Sequence, residues 1–230
     1  MSTQVKAYRG LAMEGPIADW YARNTGRDMG RFSQAARVVL EWVPRGARVL
    51  EVAPGPGYLA LELARLGYQV VGLDISRSFV RIATDNVAKA GVSATFKEGD
   101  AAHMPLPDAS FDFAISMAAF KNFTDPVGAL DEIHRILRPG GGASIQDLRK
   151  DASWSAIDQE VARMNLSRAS AFLTRWTFRL MLLRRAYTRG ELARMAAASR
   201  FGGGEITEHG IGFELRLRKP LLPRRLQDLA

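Results

Sequence analysis

The sequence has no cysteine, and its three histidines, at positions 103, 134 and 209, are never close together. The first absence excludes disulfides, a thiolate nucleophile and cysteine-ligated clusters. The second leaves a histidine metal site without the close-spaced ligands it normally needs, so metal-free chemistry is expected. No apolar run approaches the roughly 20 residues that span a bilayer. The opening stretch MSTQVKAYRGLAMEG lacks the apolar core of a secretory signal, so a cytoplasmic protein is expected. Internal repeats and low-complexity tracts are absent too. Acidic residues are scarce in one region only. Residues 1–150 carry 18 Lys and Arg against 16 Asp and Glu, whereas 151–230 carry 14 against 8, so the net charge of +8 belongs mostly to the C-terminal third.

With 47% hydrophobic and 24% charged residues, the 230-residue chain has the balance of one globular domain with an elaboration. Apolar spacing predicts a helix over 31–43, ended by Pro44 and Gly46. A nearly all-apolar strand (47–53), a helix (59–67) closed by Gly67 and a second apolar strand (68–74) form a βαβ unit. The alternation continues with a helix at 76–90 capped by Ser76, strands at 94–100 and 110–117, a helix at 126–137 and a strand at 141–148. From 152 to 200 helices follow one another, the last opening on a possible capping box of Thr188 and Glu191. Two strands with a turn at His209-Gly210 close the pattern, and 221–230 reads as a frayed tail. The expected fold is an α/β, doubly wound Rossmann-like sheet, mostly parallel with an antiparallel C-terminal strand. It makes one domain over 1–220, with N-terminal helices in 1–45 and a helical lid inserted at 152–200.

EVAPGPGYLA, residues 51–60, turns from strand to helix, and Gly55, Gly57 and Ala60 fit the spacing of a dinucleotide-binding loop. That ligand suits the turn poorly. Pro54 and Pro56 have no N–H to offer a pyrophosphate, and Glu51 brings a carboxylate towards it. A ligand carrying ammonium and sulfonium charges would instead welcome Glu51, Asp74 and Asp100, each at the carboxyl end of a predicted parallel strand. S-adenosylmethionine (SAM) is such a ligand. A lone acid after a strand also caps helices, and Asp74 before Ile75-Ser76 could do that.

The sequence resembles the class I SAM-dependent methyltransferases over roughly 40–220. LEVAPGPG matches their glycine motif, GLDIS their second acidic motif and EGDAAHMPLPDASFD their third. More narrowly, AISMAAFKNFTDPVGALDEIHRILRPGG is similar to the ubiquinone/menaquinone C-methyltransferase group. One departure is Ala53, where the family's first glycine stands. The resemblance implies that Glu51 holds the methionine ammonium while the Ala53, Gly55 and Gly57 backbone passes beneath the methionine moiety. It implies Asp74 and Ile75 at the ribose, Asp100 and Ala101 at the adenine, and Ser116 and Met117 beside the transferable methyl. Tyr21 is the candidate for an N-terminal tyrosine over the methionine end. S-adenosylhomocysteine would be the product, and no metal would take part.

In-line methyl transfer from a sulfonium needs alignment more than a dedicated base. Where a base helps, Lys121, Asn122, Asp147 and His209 are candidates. Lys121 and Asn122 stand where the quinone enzymes have Arg-Asn, which implies substrate positioning. His103 and His134 read as structural. In 169–187, Phe172, Leu173, Trp176, Leu180 and Leu183 recur at helical steps as an apolar stripe of the kind usually buried in a core, flanked by Arg175, Arg179, Arg184 and Arg185. Nine arginines against Glu191 alone between 161 and 204 give the lid a face for an anionic substrate, a membrane surface or RNA. The expected partner is a small-molecule methyl acceptor. The rivals are a SAM-binding module without turnover, a nucleic-acid methyltransferase using the basic third, and, last, an oxidoreductase.

Overall fold

A computed structural model describes residues 13–26, 29–164 and 167–221. The expected tail at 222–230 lies outside the described residues. Seven strands, β1 (Arg48–Val52), β2 (Gln69–Asp74), β3 (Ala94–Glu98), β4 (Phe111–Met117), β5 (Leu137–Leu148), β6 (Glu205–His209) and β7 (Gly212–Arg218), form one sheet in the order β3-β2-β1-β4-β5-β7-β6. β1 to β5 pair in parallel, and β7 runs antiparallel to both of its neighbours. The doubly wound fold with an antiparallel C-terminal strand is therefore as expected.

Side chains alternate across the sheet, so each strand feeds two cores. Val49 packs with Phe32, Ala36 and Val39 of α2 (Gly30–Trp42) and with Leu59 and Leu63 of α3 (Tyr58–Arg65). Leu50 and Val52 face the larger core, with Leu130 and Ile133 of α5 (Pro126–Ile136). Phe111 and Phe113 share parity, yet lie in different cores, because the β4–β5 register shifts between them. α4 (Arg77–Lys89) opens on Ser76, whose Oγ accepts from the Phe79 N–H as expected, and α1 (Gly15–Thr25) packs Ala18 and Ala22 on its Phe79 and Ile82.

The helical region departs from expectation in two ways. It comprises α6 (Trp154–Arg163), α7 (Arg168–Thr177), a π-helical turn (Phe178–Leu182), α8 (Leu183–Arg185) and α9 (Arg189–Ala198). α9 opens on the expected Thr188–Glu191 capping box, but its Leu192 and Ala196 lie in the main core, so the separate unit is 154–185 and not 152–200. Its inward residues are Ile157, Val161, Phe178 and Leu183, packed with Ala152 and Ile211. The apolar stripe is not core. Phe172, Leu173 and Trp176 are exposed, Leu183 alone of its described members is buried, and the Leu180 side chain lies outside the description. The π turn adds a residue to the helical repeat, so a stripe drawn at a constant angle does not keep one face across it.

Candidate cofactor and acceptor site

The strand order reverses between β1 and β4, and in sheets of this kind the crevice at that point, outside the carboxyl ends, is where ligands bind. The turn leaving β1 enters it. Ala53, Gly55 and Gly57 are all left-handed, with φ of 57°, 55° and 76°. The Ala53 N–H donates to Leu73 O at 2.8 Å and the Gly57 N–H to Pro54 O at 3.0 Å. A Cβ on Gly57 would lie 2.7 Å from Ala83 Cβ, so both space and φ demand glycine there, whereas the Cβ position of Gly55 meets nothing within 4 Å. Ala53 holds the same hand with a Cβ, at a cost of roughly 1–2 kcal/mol. Ala53→Gly is expected to raise stability by about 0.5–1 kcal/mol, the relieved strain outweighing the extra chain entropy of glycine. A lowered midpoint in urea unfolding would show that the turn is unstrained.

Two acids adjoin this turn, and a third lies at the end of β3. Glu51 is buried, its Oε2 has no hydrogen-bond partner among the described residues, and its pKa is pushed up to about 8, first by burial and further by the Asp74 charge, against the opposing Ala60 N–H. Ser116 Oγ, fully buried on β4, also lacks a partner among the described residues. Ile115 pairs with Glu51, so Ser116 lies one residue further towards the carboxyl end, followed by half-buried Met117. Asp74 accepts from the Gly55 N–H and the Ser76 N–H, each at 2.9 Å, and ties the glycine turn to β2. Burial lifts its pKa to about 6 despite those bonds. The helix cap is Ser76, not Asp74. Ser76 Oγ also donates to Met13 O at 2.6 Å, which draws the start of α1 over this end of the sheet. Beside Asp74, Ile75 is an exposed aliphatic side chain. Asp100 accepts from the Ala102 N–H at 3.0 Å and faces His103 Nδ1 at 3.4 Å, while Ala101 packs on the main core. Tyr21 sits on α1 with its ring 5.7 Å from that of Phe79.

Beyond β4 the chain makes a 3-10 turn, Phe120–Asn122. Lys121 Nζ donates to Asp147 Oδ1 at 2.8 Å and to Ala118 O at 2.7 Å, and the Lys121 N–H donates to Asp147 Oδ2 at 2.8 Å. Both side chains are buried. Two of the base candidates thus consume each other, with the Leu148 N–H also on Asp147 at 2.7 Å. The pair holds Ala118, another left-handed alanine with φ 60°, at the lip of β4. Asn122 donates its N–H to Ala119 O at 2.9 Å, and its side-chain amide is unpartnered among the described residues. His209 is exposed on β6, four strands from β1, which at ~4.8 Å per strand is roughly 19 Å across the sheet. A cavity of about 360 Å³ opens beside Lys121, lined by Lys150, Arg184, Arg185, Tyr187 and Glu191. Nothing in the sequence joined Lys121 to Asp147 or Lys150 to Arg184, because each pair is brought together only by the tertiary fold.

Residues 50–145, from β1 to within β5 and including all three acids, match the family model of a methyltransferase domain. That segment is similar to a methyltransferase domain. The demethylmenaquinone methyltransferase of Deinococcus radiodurans is 38% identical over 130 residues, covering 56% of this chain and 53% of that protein. The ubiquinone/menaquinone biosynthesis C-methyltransferase of Azotobacter vinelandii is 32% identical over 121 residues, covering 50% and 48%. The chain spans about half the length of the curated relatives it matches. Among solved structures, a Methanococcus maripaludis protein assigned as an S-adenosyl-L-methionine-dependent methyltransferase superposes with a TM-score of 0.70 at 20% identity, over 97% of this chain and 99% of that one. At that identity the likeness concerns the fold. The family match thus ends before the helical unit 154–185 and before β6 and β7, which complete the same sheet.

Proposed function

We propose that the protein transfers a methyl group from SAM to a small-molecule acceptor. The observation that carries this reading is the pair of acids at the reversal of the sheet, Glu51 with an unpartnered buried oxygen and a pKa near 8, and Asp74 with a pKa near 6. A buried, unpartnered carboxyl beside a second buried carboxyl calls for a cation, and a ligand with ammonium and sulfonium groups is one. When bound, SAM supplies an electrophilic methyl that leaves its sulfur in an in-line displacement, with S-adenosylhomocysteine as product.

The chain does the rest. Glu51 ionises against the ammonium. Asp74, with two oxygen lone-pair directions used by backbone N–H groups, keeps others for the ribose hydroxyls. Gly55 leaves its side open for the ligand to lie against the turn. Ile75, Asp100 and Ala101 take the adenosine end, Ser116 and Met117 border the methyl, and Tyr21 closes from α1. Lys121 and Asp147 fix the turn that presents Asn122 to the acceptor. The cations of the adjoining cavity favour an acceptor that reacts as an anion, such as the ionised ring of a hydroquinone, the class that the names of the relatives point to. His209 has no part in this reading, and it requires no metal. No helix among the described residues is long and apolar enough to cross a membrane, and cytoplasmic placement belongs to the same proposal.

Calorimetric titration with SAM, S-adenosylhomocysteine and NAD, followed by transfer of a labelled methyl to a hydroquinone panel, tests it. Micromolar binding of the first two, none of NAD, and labelled product are expected. NAD binding without SAM binding would overturn the cofactor reading. Tight SAM binding with no transfer to any acceptor would leave the binding-module reading in its place.

A further inference from the structure

We propose that the outer face of the helical unit 154–185 docks on the surface of an anionic lipid bilayer. A surface helix needs one apolar stripe, and this unit has already buried one: Ile157 and Val161 of α6, Phe178 of the π turn and Leu183 of α8 form its inner core. A second apolar surface faces water. Trp154 is 48% exposed, Phe172 62%, Leu173 68% and Trp176 44%. They form one patch, since the Trp154 and Trp176 rings lie 6.0 Å apart and those of Phe172 and Trp176 6.2 Å apart. Contiguous exposed apolar surface of this kind marks an interface.

The charges around the patch select the occupant. Arg179 lies over the Trp154 ring at 5.4 Å, and Arg175 reaches Asp158 at 2.8 Å. Within 154–185 six arginines stand against Asp158 and Glu160, which leaves the unit positive. Tryptophan and arginine suit the headgroup layer, where the indole has one apolar and one polar edge and the guanidinium forks onto phosphate, while Phe172 and Leu173 can enter the acyl boundary. A second copy fits worse, because a two-fold contact through the same patch would set its arginines against each other. RNA fits worse as well, because Leu173 offers no stacking surface. The methyl-transfer reading is not needed for this proposal. The two are joined in space, because α7 runs through the π turn into α8, whose Arg184 lines the cavity beside Lys121.

The test is sedimentation of the full chain with vesicles of phosphatidylcholine alone or mixed with phosphatidylglycerol. Binding to the mixed vesicles only, weakening as salt is raised, is expected. Phe172→Ser with Leu173→Ser should keep the wild-type unfolding midpoint and bind these vesicles at least about a hundredfold more weakly, since two large apolar side chains no longer enter the bilayer. Quenching by brominated lipid acyl chains of a Trp20→Phe protein, which removes the other exposed tryptophan, checks the same face without altering it. Absence of vesicle binding, or equal binding by the double variant and no quenching, would overturn the proposal. So would a wild-type dimer that the double variant turns into a monomer, or retention of RNA in place of vesicles.

Discussion

Glu51→Gln is expected to make the ligand-free protein more stable than wild type above pH 7 while removing most of its affinity for SAM. The folded-state pKa of Glu51 lies near 8, above its ordinary value of 4.5, because the side chain is buried beside Asp74. Its contribution to stability is therefore complete below about pH 4.5 and is lost as the pH rises through about 8, at a slope of at most about 1.4 kcal/mol per pH unit. Asp74, raised from 3.8 to about 6, adds to the loss at the lower end of that window. Glutamine keeps the shape without the proton, so the part of the slope due to Glu51 should vanish. The same amide cannot answer an ammonium charge, and losing a charge-assisted hydrogen bond costs about 1.5–3 kcal/mol, a Kd raised at least tenfold. In wild type, ionising Glu51 on binding should release a proton at pH 7, visible as a dependence of the titration enthalpy on the buffer. Thermal unfolding from pH 5 to 9 together with SAM titration decides the matter. A variant with the wild-type pH profile and unchanged affinity would remove Glu51 from the site.

Lys121→Ala is expected to destabilise the fold by about 3–5 kcal/mol, because it leaves the Asp147 charge buried without its cation. The sequence suggested a substrate-positioning lysine whose loss would lower turnover alone. The structure places its ammonium on Asp147 and Ala118 O, both inside the protein. Asp147→Asn alone should also be costly, whereas adding it to Lys121→Ala should restore part of the loss, giving a coupling energy of the sign expected for a direct pair. Urea unfolding of the four proteins measures it. A Lys121→Ala protein with an unchanged midpoint and reduced turnover would return the lysine to the acceptor.

That Glu51, the glycine turn and Asp74 come together was legible because the arrangement is local. Glu51, the glycines and Asp74 lie at the ends of consecutive strands of a βαβ unit, and strand ends in such a unit converge whatever the rest of the chain does. The same holds for the caps, Ser76 and Thr188 with Glu191, whose bonds span three residues. The acceptor side was not legible. Lys121 and Asp147 are 26 residues apart, and each alone looks like a base; their meeting cancels both as bases and makes a lock. His209 shares the carboxyl rim with the site but sits on the outermost strand, a distance set by strand order and not by sequence spacing. The apolar stripe of α7 was visible, but its direction was not. Helical periodicity says that a face exists and leaves open which partner takes it, and here the inner core was built from Phe178 and Leu183 past a π turn.

The sequence by itself determined the alternating α/β order, the glycine-proline turn with acids at the neighbouring strand ends, and the basic character of the C-terminal third. These depend on residue type and near spacing. Only the tertiary structure decided that Glu51 is short of a partner, that Lys121 is spent on Asp147, and that an aromatic, arginine-flanked face is left to solvent. Burial and long-range pairing set those outcomes, because desolvation and the distance between charges exist only once the strands are side by side.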